Sequence, residues 1–250
     1  MIKTEQLSSR TKHLKRTLTI LKYENAYKAL DLVIKEMCVD KGFSRHNGKH
    51  YYHHLVDVAQ LLLNFGIKDE VTITAAILHD YLEDVEGATS EEISAEFGYE
   101  VTEIVKLVTK EKGVDYKTNH EAMMDYLDAI FLNPKACLVK TADRVNNFQT
   151  MRDSSINHRR KQLDNTMKYF IPFFKKCRNK YIENENFYFQ AKTTIEPIAF
   201  EIGRYLEDLS KYEDKVNKQA AEISRLKTLL GENKEVIKWI TWLKKVLWID

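Results

Sequence analysis

Residues 73–84 read ITAAILHDYLED. The run from Ala75 to Leu78 is apolar without interruption, and the spacing predicts a helix over about Glu70 to Asp84. His79 and Asp80 follow directly on this buried-looking run. A carboxylate there is costly unless it is paired or coordinates a cation. Glu83 stands four residues after His79 and three after Asp80, hence on the same helical face. Three groups able to bind a metal or move a proton therefore converge within about one turn.

Two further segments set polar groups where helices should be apolar. In ACLVKTADRVNN (136–147), Asp143 follows an apolar stretch, with Lys140 three residues before it and Asn147 four after. All three share one face. HYYHHL (50–55) offers His50, His53 and His54 at the head of a helix. A lone His-Asp pair is weak evidence, because core histidines with satisfied hydrogen bonds are commoner than ligands. Glu83 and Asp84 alone would suit a solvated helix end. The order His, then His-Asp, then a distant Asp, each in a helical context, points to one shared site. Imidazole nitrogen mixed with carboxylate oxygen suits a first-row divalent ion with positions open for water or substrate oxygens. No thiolates accompany the set, which argues against a closed structural zinc site.

The rest of the chain reads as all-α. Only 8 Gly and 3 Pro occur in 250 residues, too few for a turn-rich β architecture, and 44% hydrophobic residues suffice for a core. Helices are predicted over about 24–39, from Tyr51 to Gly66, and over 100–109, 120–132, 135–150 and 158–181. Thr89 and Glu92 have capping-box spacing and open a short helix before Phe97-Gly98, while Pro134 suits the first turn of its helix. The stretch KGFSRHNGKH (41–50) reads as a loop, and the lysine-rich 110–119 as a mobile connection.

A formal charge of +2 makes no case for a dedicated nucleic-acid binder. The first 22 residues are locally basic (Lys3, Arg10, Lys12, Lys15, Arg16, Lys22), as a solvated, partly frayed terminus or an anion-binding arm would be. Cys38, Cys137 and Cys177 have no C-x-x-C spacing, which fits a reducing cytoplasm. With no signal peptide and no apolar run long enough to span a membrane, the expectation is a soluble cytoplasmic protein.

The last third differs. Leu209, Tyr212, Val216, Gln219, Ile223, Leu226 and Leu230 follow the alternating three- and four-residue steps of a coiled-coil seam, which Gly231 should break. A final stripe (Val236, Ile237, Trp239, Ile240, Leu243, Leu247) follows. The expected division is a catalytic domain over 1–181 and a helical, coiled-coil-like extension over 182–250. The seam would pack back on the domain or pair with a second copy, giving a homo-oligomer. Trp239, Trp242 and Trp248 among Lys234, Lys238, Lys244 and Lys245 would also suit a membrane surface, although packing is the simpler reading.

The segments RHNGKHYYHHLVDVAQLL (45–62), TAAILHDYLEDVEGATSEEISAEFGYEVTEIVKLVTK (74–110) and LVKTADRVNNFQTM (138–151) resemble successive motifs of the Rel/SpoT-type alarmone hydrolase domain, a branch of the HD superfamily. A fainter match continues through NTMKYFIPFF (165–174), so the likeness covers about Glu24 to Lys180. It implies an HD-domain helical bundle that removes the 3′-pyrophosphate of guanosine tetra- and pentaphosphate with manganese.

By position, the resemblance implies His54, His79, Asp80 and Asp143 as metal ligands, with His54 preferred to His53 because it keeps the spacing to Val58-Ala59. It implies Glu83 and Asp84 as the acidic pair that manages the attacking water. Arg45 would pack on the base. Asn147 would lie near the ribose, Lys140 close to the site, His46 beside the nucleotide, and Arg159 (or Arg160 or Lys161) near the phosphates. The sequence departs from the family at His50 and Leu55, where proline is usual, at His46, where lysine is usual, and at Asn146-Asn147-Phe148 in place of His-Asn-Met. These changes touch the nucleotide pocket more than the metal. An adenosine alarmone or the 2′-phosphate of NADPH therefore stay open as substrates. A sensor that binds an alarmone without turnover is the reading from another class; against it, every ligand-matched position and both acids are present. Too few residues follow the domain for a synthetase, so the expectation is a stand-alone small alarmone hydrolase, with a toxic alarmone synthetase as a conceivable partner.

Overall fold

The structure is a computed structural model that describes residues 7–116, 118–232 and 234–247. It divides into two compact units, Met1–Glu201 and Ile202–Asp250. All regular structure among the described residues is helical, apart from one isolated bridge between Ser44 and His50.

In the first unit the centre is α4 (Glu70–Leu78), which is buried on every side from Thr72 to Leu78. A helix that is apolar all round must be enclosed. It packs against α2 (Glu24–Glu36), α3 (Tyr52–Asn64), α7 (Tyr99–Val108) and α9 (Pro134–Gln149). Its two buried threonines are satisfied locally: Thr72 Oγ1 donates to Asp69 and Thr74 Oγ1 to the Glu70 carbonyl. Asn133 caps α9, accepting from the Lys135 and Ala136 amides, and Pro134 occupies the first turn as expected. The helix α6 (Ser90–Phe97) opens on the reciprocal Thr89–Glu92 capping box. Helix α8 (His120–Phe131) packs on α9.

Four expectations need correction. From Ser9 on, the basic terminus is not frayed: these residues form α1 (Ser9–Leu21), capped by Ser8, with Leu14 and Leu18 fully buried and ion pairs from Arg10 to Asp57 and Lys15 to Asp31. Three- and four-residue steps between Thr11, Leu14 and Leu18 were enough to bury one face. Lys3 lies outside the described residues. The predicted helix over 70–84 ends at Leu78 and resumes as the single turn α5 (Tyr81–Asp84). The His79 ring donates to the Ala76 carbonyl at 2.8 Å, so the side chain uses an acceptor of its own last turn. The predicted helix over 158–181 is α10 (Ile156–Asn165), a π-helical turn Thr166–Phe170, and α11 (Ile171–Lys180). Pro172 has no N–H and its ring would strike the carbonyl four residues back; widening the preceding turn relieves the clash.

The fourth concerns Gly231, which does not break the run: α12 (Glu185–Glu232) continues through it, and α13 (Lys234–Leu247) follows. The expected boundary at 181/182 falls at the turn before α12, whose first turns belong to the first unit and bury Phe187, Tyr188, Ala191 and Ile195. In the second unit Tyr212, Val216, Ile223 and Leu226 are exposed, as are Trp239 and Trp242. Trp248 and the side chains of Lys234, Val236, Ile237, Lys244 and Leu247 lie outside the described residues. No helix among the described residues is long and apolar enough to cross a membrane.

Candidate metal centre

Three elements bring the predicted ligands together. His54 comes from the first turn of α3, His79 and Asp80 from the break between α4 and α5, and Asp143 from the middle of α9. His54 Nε2 lies 3.2 Å from Asp143 Oδ1 and 3.6 Å from Asp80 Oδ2. His79 Nε2 lies 3.2 Å from Asp80 Oδ2 and 3.7 Å from Asp143 Oδ1. His54, His79 and Asp80 each offer a donor atom within 4.8 Å of the others.

The outward nitrogens set the tautomers. His79 Nδ1 bonds the Ala76 carbonyl, which can only accept, so Nδ1 carries the proton and the Nε2 lone pair of the neutral ring faces the carboxylates. His54 Nδ1 lies 2.7 Å from Asn146 Oδ1 and donates likewise. Both Nε2 atoms are buried and neither makes a hydrogen bond. A buried polar atom without a partner is rare. Two of them, turned by their outer hydrogen bonds toward two carboxylates, fit a divalent cation.

Without a metal the same carboxylates favour a positive charge here: against the cost of burial, Asp80 and Asp143 push His79 up to about 10, so the ring carries a proton on Nε2 that a divalent cation would displace to reach the lone pair. Burial alone would raise Asp80, but His79 outweighs it and holds the carboxyl below its ordinary range. Asp143 is likewise held low, with Lys140 and both imidazoles overcoming burial. The buried Lys140 ammonium lies 3.2 Å from Asp143 Oδ2, and Asn147 Nδ2 donates to Asp143 Oδ1 at 2.5 Å. The face shared by Lys140, Asp143 and Asn147 thus converges on one carboxylate.

The remaining predicted residues are spread around this centre. Glu83 Oε2 accepts from the Lys110 amide at 3.2 Å. Asp84, at the solvent edge, is pushed up to about 6 by burial of its carboxyl and by the charges of Asp80 and Glu83. Arg45 donates to Asn147 Oδ1 (3.2 Å) and Thr150 Oγ1 (2.9 Å), with its guanidinium 5.6 Å from the Tyr51 ring centre. Arg45 and His46 line a cleft of about 80 Å³ with Arg10, Lys49, His53 and Asn146. His46 meets the His158 ring edge-on at 4.9 Å. Arg159 is turned elsewhere: its guanidinium donates to the carbonyls of Ser154 and Arg152. Its bonds do not join it to the cluster.

Sequence reasoning missed three participants. Tyr51 donates its hydroxyl to Asp80 Oδ2 at 2.7 Å, Asn146 orients His54, and Thr150 holds Arg45. Each stands three residues from a residue already singled out (His54, Asp143 and Asn147), so helical spacing was the available signal.

Fold and donor set define an all-α domain built around a divalent-cation site. The chain belongs to the HD domain family, which matches residues 29–176. It is similar to the guanosine-3′,5′-bis(diphosphate) 3′-pyrophosphohydrolase of Haemophilus influenzae, with 29% identity over 177 residues that cover 68% of this chain and 25% of that protein. Similarity to the protein of the same name from Aquifex aeolicus is 34% over 142 residues, 56% of this chain and 20% of that one. The chain spans a quarter or less of these relatives. A solved structure, described as a metazoan ortholog of SpoT that hydrolyzes ppGpp, matches with TM-score 0.50 and 20% identity over 73% of this chain and 95% of that one. At that identity the likeness speaks for the fold.

Proposed function

We propose that this chain hydrolyses the 3′-pyrophosphate of guanosine alarmones, giving GDP or GTP and pyrophosphate. The observation that carries the reading is the pair of orphaned Nε2 atoms facing Asp80 and Asp143. The names of the Haemophilus and Aquifex relatives support the substrate class. Manganese is the ion we assign to His54, His79, Asp80 and Asp143. When bound, such an ion supplies Lewis acidity toward a phosphoryl oxygen and lowers the pKa of water.

The chain's own residues do the rest. Glu83 or Asp84 orients the attacking water and takes its proton. Water oxygen bonds to the phosphorus next to the ribose, the bond to the 3′ oxygen breaks, and that oxygen is protonated as pyrophosphate leaves. Arg45 packs on the base while Asn147, which bonds both Arg45 and Asp143, ties base recognition to the ligand set. Lys140 holds Asp143 ionised.

The test is to incubate metal-stripped chain plus manganese with guanosine tetraphosphate, its adenosine analogue and NADPH, separating products by ion exchange. GDP and pyrophosphate from the first alone are expected. Turnover of another substrate would keep the reaction class and change the specificity, and metal binding without turnover would favour a sensor.

We further propose that a second copy pairs along the seam of α12. The exposed Tyr212, Val216 and Ile223 support this, since β-branched residues at alternate seam positions favour two parallel strands. Light scattering should give twice the chain mass, reverting to one chain in I223E. A cytoplasmic setting fits the three free cysteines.

A further inference from the structure

Lys110 is a cation beside this site that forms no close ion pair among the described residues, although the charges of Glu83 and Asp143 reach it. It directly follows the last turn of α7, and its amide bonds Glu83 Oε2 at 3.2 Å. Its Nζ lies 5.6 Å from the Tyr116 ring centre and 5.9 Å from that of Tyr126. The Tyr126 ring is shared with Lys140, whose Nζ lies 5.7 Å from the centre and pairs with Asp143. Lys110 itself is half-buried and makes no ion pair with any carboxylate among the described residues. Burial and the charges of Lys140 and Arg144, partly offset by Glu83 and Asp143, bring its ammonium down to about 8.

A partly desolvated ammonium set close to other cations is unfavourable unless an anion joins them. The position also gives the site a direction. Along α9, Arg45 is held by Asn147, one turn beyond Asp143, whereas Lys110 shares a ring with Lys140, one turn before it. Lys140 and Asn147 are seven residues apart, roughly 10 Å along a helix. The base would lie at one end, and at the other a group that rewards two ammonium ions.

We propose that Lys110, braced by Tyr116 and Tyr126, binds the distal phosphate of the scissile diphosphate and then the pyrophosphate released. This rests on the hydrolase reading and extends it by naming the diphosphate end of the site. The bracing rings fix an otherwise flexible side chain, so little rotamer freedom is lost on binding.

The test uses the full manganese-loaded chain as wild type, K110M and K110R, with imidodiphosphate as a non-hydrolysable pyrophosphate and GDP as the other product. Calorimetry should show imidodiphosphate affinity falling about tenfold or more in K110M, as for loss of a charge-assisted hydrogen bond. GDP affinity should stay within about twofold, and K110R should recover most of the loss. Unchanged imidodiphosphate affinity in K110M would overturn the proposal, as would equal losses for both ligands. If K110M does not fold, acetylation of the wild type decides: imidodiphosphate must protect Lys110, and failure to protect it overturns the proposal. Protection in a chain that turns over no alarmone would sink the hydrolase reading and keep the diphosphate site. Alarmone turnover with no protection would sink this inference alone.

Discussion

Asn146 Oδ1 lies 2.7 Å from His54 Nδ1, and this bond decides which nitrogen of His54 faces the carboxylates. The amide oxygen takes the Nδ1 proton, so the lone pair on Nε2 is left toward Asp143 at 3.2 Å. The orientation of a proposed ligand is thereby set by a residue outside the proposed donor set.

N146L should therefore weaken manganese binding roughly 10- to 100-fold, the usual cost of losing such an outer partner. The helical circular dichroism should be unchanged. Calorimetric titration checks it, and wild-type affinity in N146L would show that packing alone orients the ring.

D80A should abolish metal-dependent turnover while keeping the helical fold. In the wild type, manganese at 100 times its dissociation constant should raise stability by about 2.7 kcal/mol. In D80A that gain should vanish. Thermal melts with and without chelator read both effects, and a gain retained in D80A would remove Asp80 from the ligand set.

Asp84 should titrate near 6 in the metal-free chain, because burial and the charges of Asp80 and Glu83 disfavour its ionised form. The sign follows: between the unfolded value of about 4 and this folded value, the folded state binds more protons. This group's contribution to stability therefore declines as pH rises through that window. E83Q, which removes one negative neighbour, should lower the midpoint. Carboxyl carbon NMR would follow it, and an unmoved midpoint in E83Q would leave burial and the Asp80 charge as the causes.

I77A should destabilise the first unit by about 2–5 kcal/mol, since Ile77 is fully buried in the helix that other helices enclose. Denaturant unfolding measures it. A loss below about 1 kcal/mol would mean the surrounding helices collapse into the space.

Much of this was legible in order along the chain. The apolar run before His79 is long enough to demand burial, and the capping signals at Thr89 and Pro134 open helices where expected. The face shared by Lys140, Asp143 and Asn147 follows from helical spacing and holds in three dimensions. The break after Leu78 was not legible, because it depends on where the His79 ring finds an acceptor. Nor was the helix over Ser9–Leu21, where Arg10, Lys12, Lys15 and Arg16 masked a short apolar stripe.

By itself the sequence determined an all-α chain and the residues able to hold a metal, because periodicity and donor type are local properties. Only the tertiary structure decided that His54 from α3 and Asp143 from α9 face one another across the break at Asp80. It also decided that Arg159 donates its guanidinium hydrogens to nearby carbonyls while Lys110 lies over the Tyr116 and Tyr126 rings. Long-range proximity and the pairing of charges arise when helices distant in sequence pack together, and no spacing along one helix encodes them.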